Sequence, residues 1–182
     1  IAFVGGINIV SDFEAPALEA PRHDYAVRIE GPLLTPIHTS VRRVWELVAW
    51  ASFRQRKNLR KGTPASAEPC GEVEAAFLIR DNIRHRREIE EAYLLGIAGA
   101  RREIVLANAY FLPGRHFRQA LLAAARRGVQ ITLLVQGLAD HPLQHRATQA
   151  LYGQLLTAGM RIVEYHRSYL HAKVAVIDER WA

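Results

Sequence analysis

The second half of the chain alternates short apolar runs with stretches of helical periodicity. Val73 to Arg80 reads as a strand, and Arg84 to Ala100 as a helix with Ile89, Tyr93 and Ile97 on one face. Glu103 to Ala109 is then a strand, and His116 to Arg127 a helix stopped by Gly128. Val129 to Gln136 is a strand, and Leu143 to Ala158 a helix stopped by Gly159. Arg161 to Tyr165 and His171 to Ile177 are the last strands. Strands alternating with helices imply an α/β fold, with a largely parallel sheet and helices on both faces. In such sheets the ligand sits beyond the carboxyl ends of strands. Asn108, Tyr110 and Pro113 follow such an end and are placed to line a pocket. Arg101-Arg102 and Arg126-Arg127 fall at helix C-terminal ends, as solvated caps do.

The first part has a different rhythm. Ile1 to Val10 reads as a strand with a glycine pair, Gly5 and Gly6, where backbone N–H groups could approach a phosphate. Asn8 could donate its amide to a non-bridging oxygen, and a bulge or turn is the structural alternative. Ser11 to Pro21 is loop-like, and Tyr25 to Glu30 is a short strand closed by Gly31-Pro32. A helix follows from Thr35 to Arg60, with Pro36 in its first turn. Ile37, Val41, Val44, Val48 and Ala51 form its apolar stripe, widened by Trp45, Leu47, Trp50 and Phe53. A face this broad reads as core before it reads as a membrane-surface helix. Lys61 to Glu72, with Gly62, Pro64, Ser66, Pro69 and Gly71, reads as a linker.

Composition narrows the class. Hydrophobic residues are 49% and charged residues 23% of 182, an ordinary globular balance with enough chain for a sizeable core. The longest nearly apolar window, Ala92 to Ala100, is too short to span a bilayer. The single cysteine, Cys70, allows no internal disulfide. His141 and His145 are four apart, but Pro142 lies between them and no third ligand is near, so they read as surface or cap residues. The net charge of +6 and a pI near 9.9 point to an anionic partner.

Chemistry gathers at Tyr169-Leu170-His171-Ala172-Lys173-Val174-Ala175-Val176-Ile177-Asp178. Residues two apart on a strand share a face, so His171 and Lys173 belong together. Asp178, seven on from His171, needs a bend at the strand end to come round to them. A fixed ammonium offsets the charge of a phosphodiester, and an imidazole can attack phosphorus or protonate a leaving oxygen. By itself the pattern is also met by a polar strand end with a satisfied histidine.

The two ends of the chain together decide the reading. Gly5, Gly6 and Asn8 match the tail of the pattern H-x-K-x(4)-D-x(6)-G-[GS]-x-N, and His171, Lys173 and Asp178 match its head. The chain thereby resembles the phospholipase D superfamily, in which this HKD motif occurs twice. Phe3 to Ile9, Asp24 to Pro32, Ala107 to Gly114 and Tyr169 to Lys173 are similar to bacterial cardiolipin synthases. The expectation is a fragment running from just after a first HKD motif through a second. Residues 1–61 would close one repeat, 62–72 would link, and 73–182 would open the next.

The resemblance implies a phospholipase D-like mixed sheet and a phosphatidyl transferase working through a phosphohistidine, with no metal or cofactor. His171 is then the general acid, or alternatively the nucleophile; Lys173 holds phosphoryl oxygens and Asp178 orients a neighbouring basic group. Gly6, Asn8, Asn108 and Tyr110 are the substrate-binding candidates. The implied partner is an anionic phospholipid, phosphatidylglycerol, met peripherally at the cytoplasmic side of the cell membrane. Nucleic acid is disfavoured because no aromatic platform is interleaved with the basic residues. A hydrolase of the same superfamily and a non-catalytic lipid-binding module are the rival readings. The fragment alone is expected to lack turnover.

Overall fold

A computed structural model describes residues 1–7, 21–52, 68–81, 83–139 and 141–182. These divide into two compact units, one of Ile1–Val4 with Ala26–Ile79, the other of Gly5–Tyr25 with Arg80–Ala182.

In the first unit, strands β1 (Ala2–Gly5) and β2 (Ala26–Ile29) pair in a two-stranded sheet. Gly31 then turns the chain at φ +89, a conformation that favours glycine, into helix α1 (Leu34–Ala51). Of the apolar stripe anticipated on α1, Ile37 is buried, whereas Val41, Val44, Leu47 and Val48 are exposed and Trp50 is 74% exposed. The face read as core is therefore uncovered, since the described residues of this unit offer only one short sheet to pack on. The expected continuation of the helix through residues 53–60, and most of the expected linker, lie outside the described residues.

The second unit holds the sheet that carries the motif. Its strands are β3 (Glu103–Asn108), β4 (Gln130–Gln136), β5 (Arg161–Tyr165) and β6 (Lys173–Ile177), in the order β5-β4-β3-β6. β3, β4 and β5 run parallel, with Ile104 opposite Ile131 and Leu133 opposite Ile162. β6 runs antiparallel to β3, with Asn108 opposite Lys173 and Ile104 opposite Ile177. The sheet is thus largely parallel, as the alternation of elements predicts, and mixed, as the resemblance implies.

Helices α2 (Glu88–Gly99), α3 (Arg115–Arg126), α4 (Pro142–Gln149) and α5 (Tyr152–Thr157) complete the unit. Ile97 of α2, Leu121 and Ala124 of α3 and Leu155 of α5 meet Ile104, Leu106, Ile131, Leu133, Val135, Ala175 and Ile177 in one core. A smaller cluster of Ala107, Leu170 and Ala172 has Leu134, Tyr165 and Val174 packed against it. Gly128 and Gly159, at φ +87 and +83, end α3 and α5 where the sequence places the stops. Arg127 is an exposed cap, as expected, but for a helix other than its own. Its guanidinium donates to the carbonyls of Ile97, Ala98 and Ala100 and so closes the C-terminal end of α2.

Three local expectations are corrected. Val73 to Arg80 forms no strand; Val73 is 90% exposed, and no described strand lies beside the segment to supply ladder bonds. The helix expected to begin at Arg84 begins at Glu88, because Asp81 Oδ1 first accepts the N–H groups of Ile83, Arg84 and His85 in a turn of its own. The helix expected over Leu143 to Ala158 is two helices, broken at Ala150 and Leu151.

The bend demanded of Asp178 exists, but it leads elsewhere. Asp178 and Glu179 sit at φ +52 and +58 just beyond β6. There the Asp178 carboxylate accepts the backbone N–H groups of Arg101, Arg102 and Glu103 at 2.8, 2.8 and 2.9 Å. These three donors hold the carboxyl below its ordinary value, led by the Glu103 N–H, with Arg102 adding to the effect. A depressed folded-state value means stability that is present above the ordinary aspartate range and is lost as pH falls through the folded value. Asp178→Asn keeps a residue tolerant of positive φ but removes the charge. We expect it to lower the melting temperature of the full-length protein at pH 7. Melting curves in steps toward pH 3 should show the two proteins converging as the wild-type carboxyl takes up its proton.

Candidate active site

The reversal of β6 explains how the motif reaches the functional edge. The carboxyl ends of β3, β4 and β5 lie together, and an antiparallel strand presents its beginning there instead of its end. Lys173 therefore stands opposite Asn108 at that edge, and Asp178 at the far end of β6 does not join it. His171 precedes the strand by two residues and is fixed by its neighbours. Its N–H donates to the His23 carbonyl at 2.8 Å, and the His23 N–H donates to the Tyr169 carbonyl at 2.8 Å. The Leu170 N–H donates to Gln136 Oε1 at 2.8 Å, and the Ala109 N–H to the Ala172 carbonyl at 3.1 Å.

The imidazole is held between an acid and an amine. His171 Nδ1 lies 2.7 Å from Asp24 Oδ2, and Lys173 Nζ lies 2.9 Å from His171 Nε2. A carboxylate only accepts and an ammonium only donates, so the proton belongs on Nδ1 and the Nε2 lone pair faces Lys173. Lys173 Nζ also donates to the His171 carbonyl at 2.8 Å. Its 3.2 Å approach to Nδ1 is a contact, since that nitrogen is already engaged by Asp24. The Asp24 side chain is 7% exposed and that of His171 27%, so the pair is shielded yet reachable. Partial burial pulls the Lys173 ammonium below its ordinary value; Asp24 opposes the change and Arg22 adds to it.

Asp24 is the residue that sequence reasoning missed. It lies within the stretch that carries the resemblance, but its partner is 147 positions away, beyond any spacing rule. Its second oxygen accepts the Tyr25 N–H at 2.8 Å. Gly6 makes room for it: a Cβ there would come within 2.5 and 2.6 Å of the two carboxylate oxygens. The role found for Gly6 is thus to let Asp24 approach, and the Gly6 N–H is taken by the Tyr25 carbonyl at 3.1 Å. Asn8 lies outside the described residues. Gln136 was missed as well; it is buried at the end of β4, with Oε1 on Leu170 and Nε2 unpartnered among the described residues. A polar side chain closing the apolar run Leu133 to Val135 was the available signal.

Asn108 and Tyr110 line a cavity of about 670 Å³ on the same edge. Asn108 Oδ1 accepts the Tyr110 N–H at 3.2 Å, which shapes the loop after β3. Glu164 and Tyr165 sit to the other side. Glu164 accepts the Tyr152 hydroxyl at 2.9 Å, and burial together with Glu164 raises that hydroxyl above its ordinary value. Tyr165 lies against the ring of His23, with centroids 5.4 Å apart.

A profile described as "Cardiolipin synthase, PLD-like domain" matches residues 94–182, the sheet and its motif strand. This domain is therefore similar to the phospholipase D-like domain of cardiolipin synthases. It is 38% identical over 192 residues to cardiolipin synthase B of Escherichia coli (strain K12), covering all of this chain and 43% of that protein. It is 40% identical over 182 residues to cardiolipin synthase B of Salmonella typhi, with the same shares covered. A probable cardiolipin synthase of Bacillus subtilis, YwiE, is 27% identical over 178 residues, 97% of this chain and 34% of that one. The chain therefore spans less than half the length of these curated relatives. Among solved structures, a phospholipase D family member, Nuc from Salmonella typhimurium, is similar at 24% identity with a TM-score of 0.39, over 49% of this chain and 57% of that one. That likeness is too loose to carry an argument.

Two outcomes are expected for the full-length protein. Asp24→Asn should lower kcat roughly 100-fold or more while KM stays near wild type, as expected for lost proton-transfer geometry. Gly6→Ala should show a loss in the same direction, because its methyl group displaces the Asp24 carboxylate. Steady-state kinetics on a phosphodiester substrate, beside circular dichroism to confirm the fold, checks both.

Proposed function

We propose that the protein carrying this chain transfers phosphatidyl groups as a cardiolipin synthase does, with phosphatidylglycerol as donor and a phosphohistidine as intermediate. The observation that carries the reading is the Asp24–His171–Lys173 array, an imidazole of fixed tautomer with an ammonium beside its free nitrogen. The similarity to proteins named cardiolipin synthases supports the substrate class.

In this scheme a second imidazole, supplied by the paired HKD set, attacks phosphorus. The bond to the glycerol oxygen breaks, and His171, which takes up a proton on Nε2 once Lys173 has moved off it, gives that proton to the departing oxygen. Asp24 stabilises the imidazolium before transfer and holds the ring in line after it. Lys173 leaves Nε2 for the non-bridging oxygens, where its charge stabilises the developing transition state. An acceptor alcohol then returns a proton to His171 Nε2 as its oxygen displaces the histidine from phosphorus.

Anionic lipid suits the net charge of +6, and a peripheral place on the cytoplasmic side of the cell membrane fits this reading. Among the described residues no helix is long and apolar enough to cross a membrane.

The deciding experiment incubates the full-length protein with labelled phosphatidylglycerol vesicles and follows products by lipid mass spectrometry. Cardiolipin is the expected product; phosphatidic acid alone would mean that water is the acceptor and the protein is a hydrolase. His171→Ala should lower turnover by roughly 10³-fold or more, since removing a general acid and its alternative role as nucleophile leaves no substitute. Turnover near the wild-type rate in that variant would refute the assignment.

A further inference from the structure

The cavity beside the motif is lined by Asn108, whose Cα pairs with that of Lys173, but by neither His171 nor Lys173. Tyr93, Leu106, Phe111 and Phe117 give it an apolar wall. Arg80, Arg86 and Glu90 also line it. Both arginines are exposed, and among the described residues neither guanidinium has an ion-pair partner. Two free guanidiniums beside an aromatic and aliphatic wall suit an amphiphile bearing a phosphate. Water as an acceptor needs no such chamber. An alcohol acceptor must be held next to the phosphorus centre while keeping clear of the donor.

We propose that this cavity seats the acceptor of the transfer reaction, a glycerophospholipid alcohol that brings a phosphate of its own. Arg80 and Arg86 hold that non-reacting phosphate, and Tyr93, Phe111 and Phe117 take the first methylenes of its chains. Glu90 accepts a hydrogen bond from the glycerol hydroxyls and, by repelling the phosphate, turns it toward the arginines. Asn108 marks the passage through which the reacting hydroxyl reaches Lys173 and His171. The assignment rests on the transferase reading and adds to it the residues that select the acceptor.

An acceptor competition tests this in the full-length protein. Phosphatidylglycerol vesicles are offered with ethanol present, and cardiolipin and phosphatidylethanol are quantified together by mass spectrometry. Ethanol carries no phosphate, so its use should not sense the two arginines. The Arg80→Gln/Arg86→Gln variant should lower the ratio of cardiolipin to phosphatidylethanol about tenfold or more, the scale of losing charge-assisted contacts to phosphate. Phosphatidylethanol formation, expected to stay within about twofold of wild type on the same grounds, reports that the variant folds and turns over the donor. The charge-preserving Arg80→Lys/Arg86→Lys variant should recover part of the ratio. An unchanged ratio, or an equal loss of both products in the Gln and the Lys variants, overturns the acceptor site while leaving the transferase standing. Wild-type protein that makes phosphatidylethanol but never cardiolipin overturns the proposed lipid acceptor as well.

Discussion

The direction of one strand governs the rest of the architecture. Parallel β3, β4 and β5 bring their carboxyl ends to one rim, and antiparallel β6 brings its amino end to the same rim. A parallel β6 would have carried Lys173 to the opposite side, away from Asn108 and the loop after β3. The reversal also sorts the three residues of the motif into two jobs. His171 and Lys173 meet the functional edge, while Asp178 secures the far end by binding the backbone of Arg101, Arg102 and Glu103.

At the rim, the imidazole depends on parts of the chain far apart in sequence. The segment around His23 lies alongside Tyr169 to His171 through two backbone hydrogen bonds, which brings Asp24 within 2.7 Å of His171 Nδ1. Gln136 holds the same loop from β4 through Leu170. The ring is thus fixed from its backbone, from its Nδ1 and from the strand beneath it.

Much of this was legible in the sequence because it is local. Apolar runs of strand length, helical periodicity and the stops at Gly128 and Gly159 all act within a few residues, and each fell close to where it was read. His171 and Lys173 were found because two residues apart on an extended segment is itself a local relation. What escaped was non-local. Asp24 has no meaning until the chain folds back over 147 positions, and Gly6 has none until Asp24 is in place. Arg127 read as a cap of its own helix because nothing nearby in sequence shows the open end of α2. Val73 to Arg80 has a strand's composition, but a strand needs a neighbour.

The amine that rests on Nε2 of His171 has a further implication for idle protein. With the lone pair occupied, the ring is poorly placed to react with small electrophiles that wander in. Only a visitor with enough negative charge to draw the ammonium aside uncovers the nitrogen. On the transferase reading proposed above, the lysine would act as a shutter that an anionic substrate opens by its own charge, so that discrimination would begin before any bond to phosphorus is made.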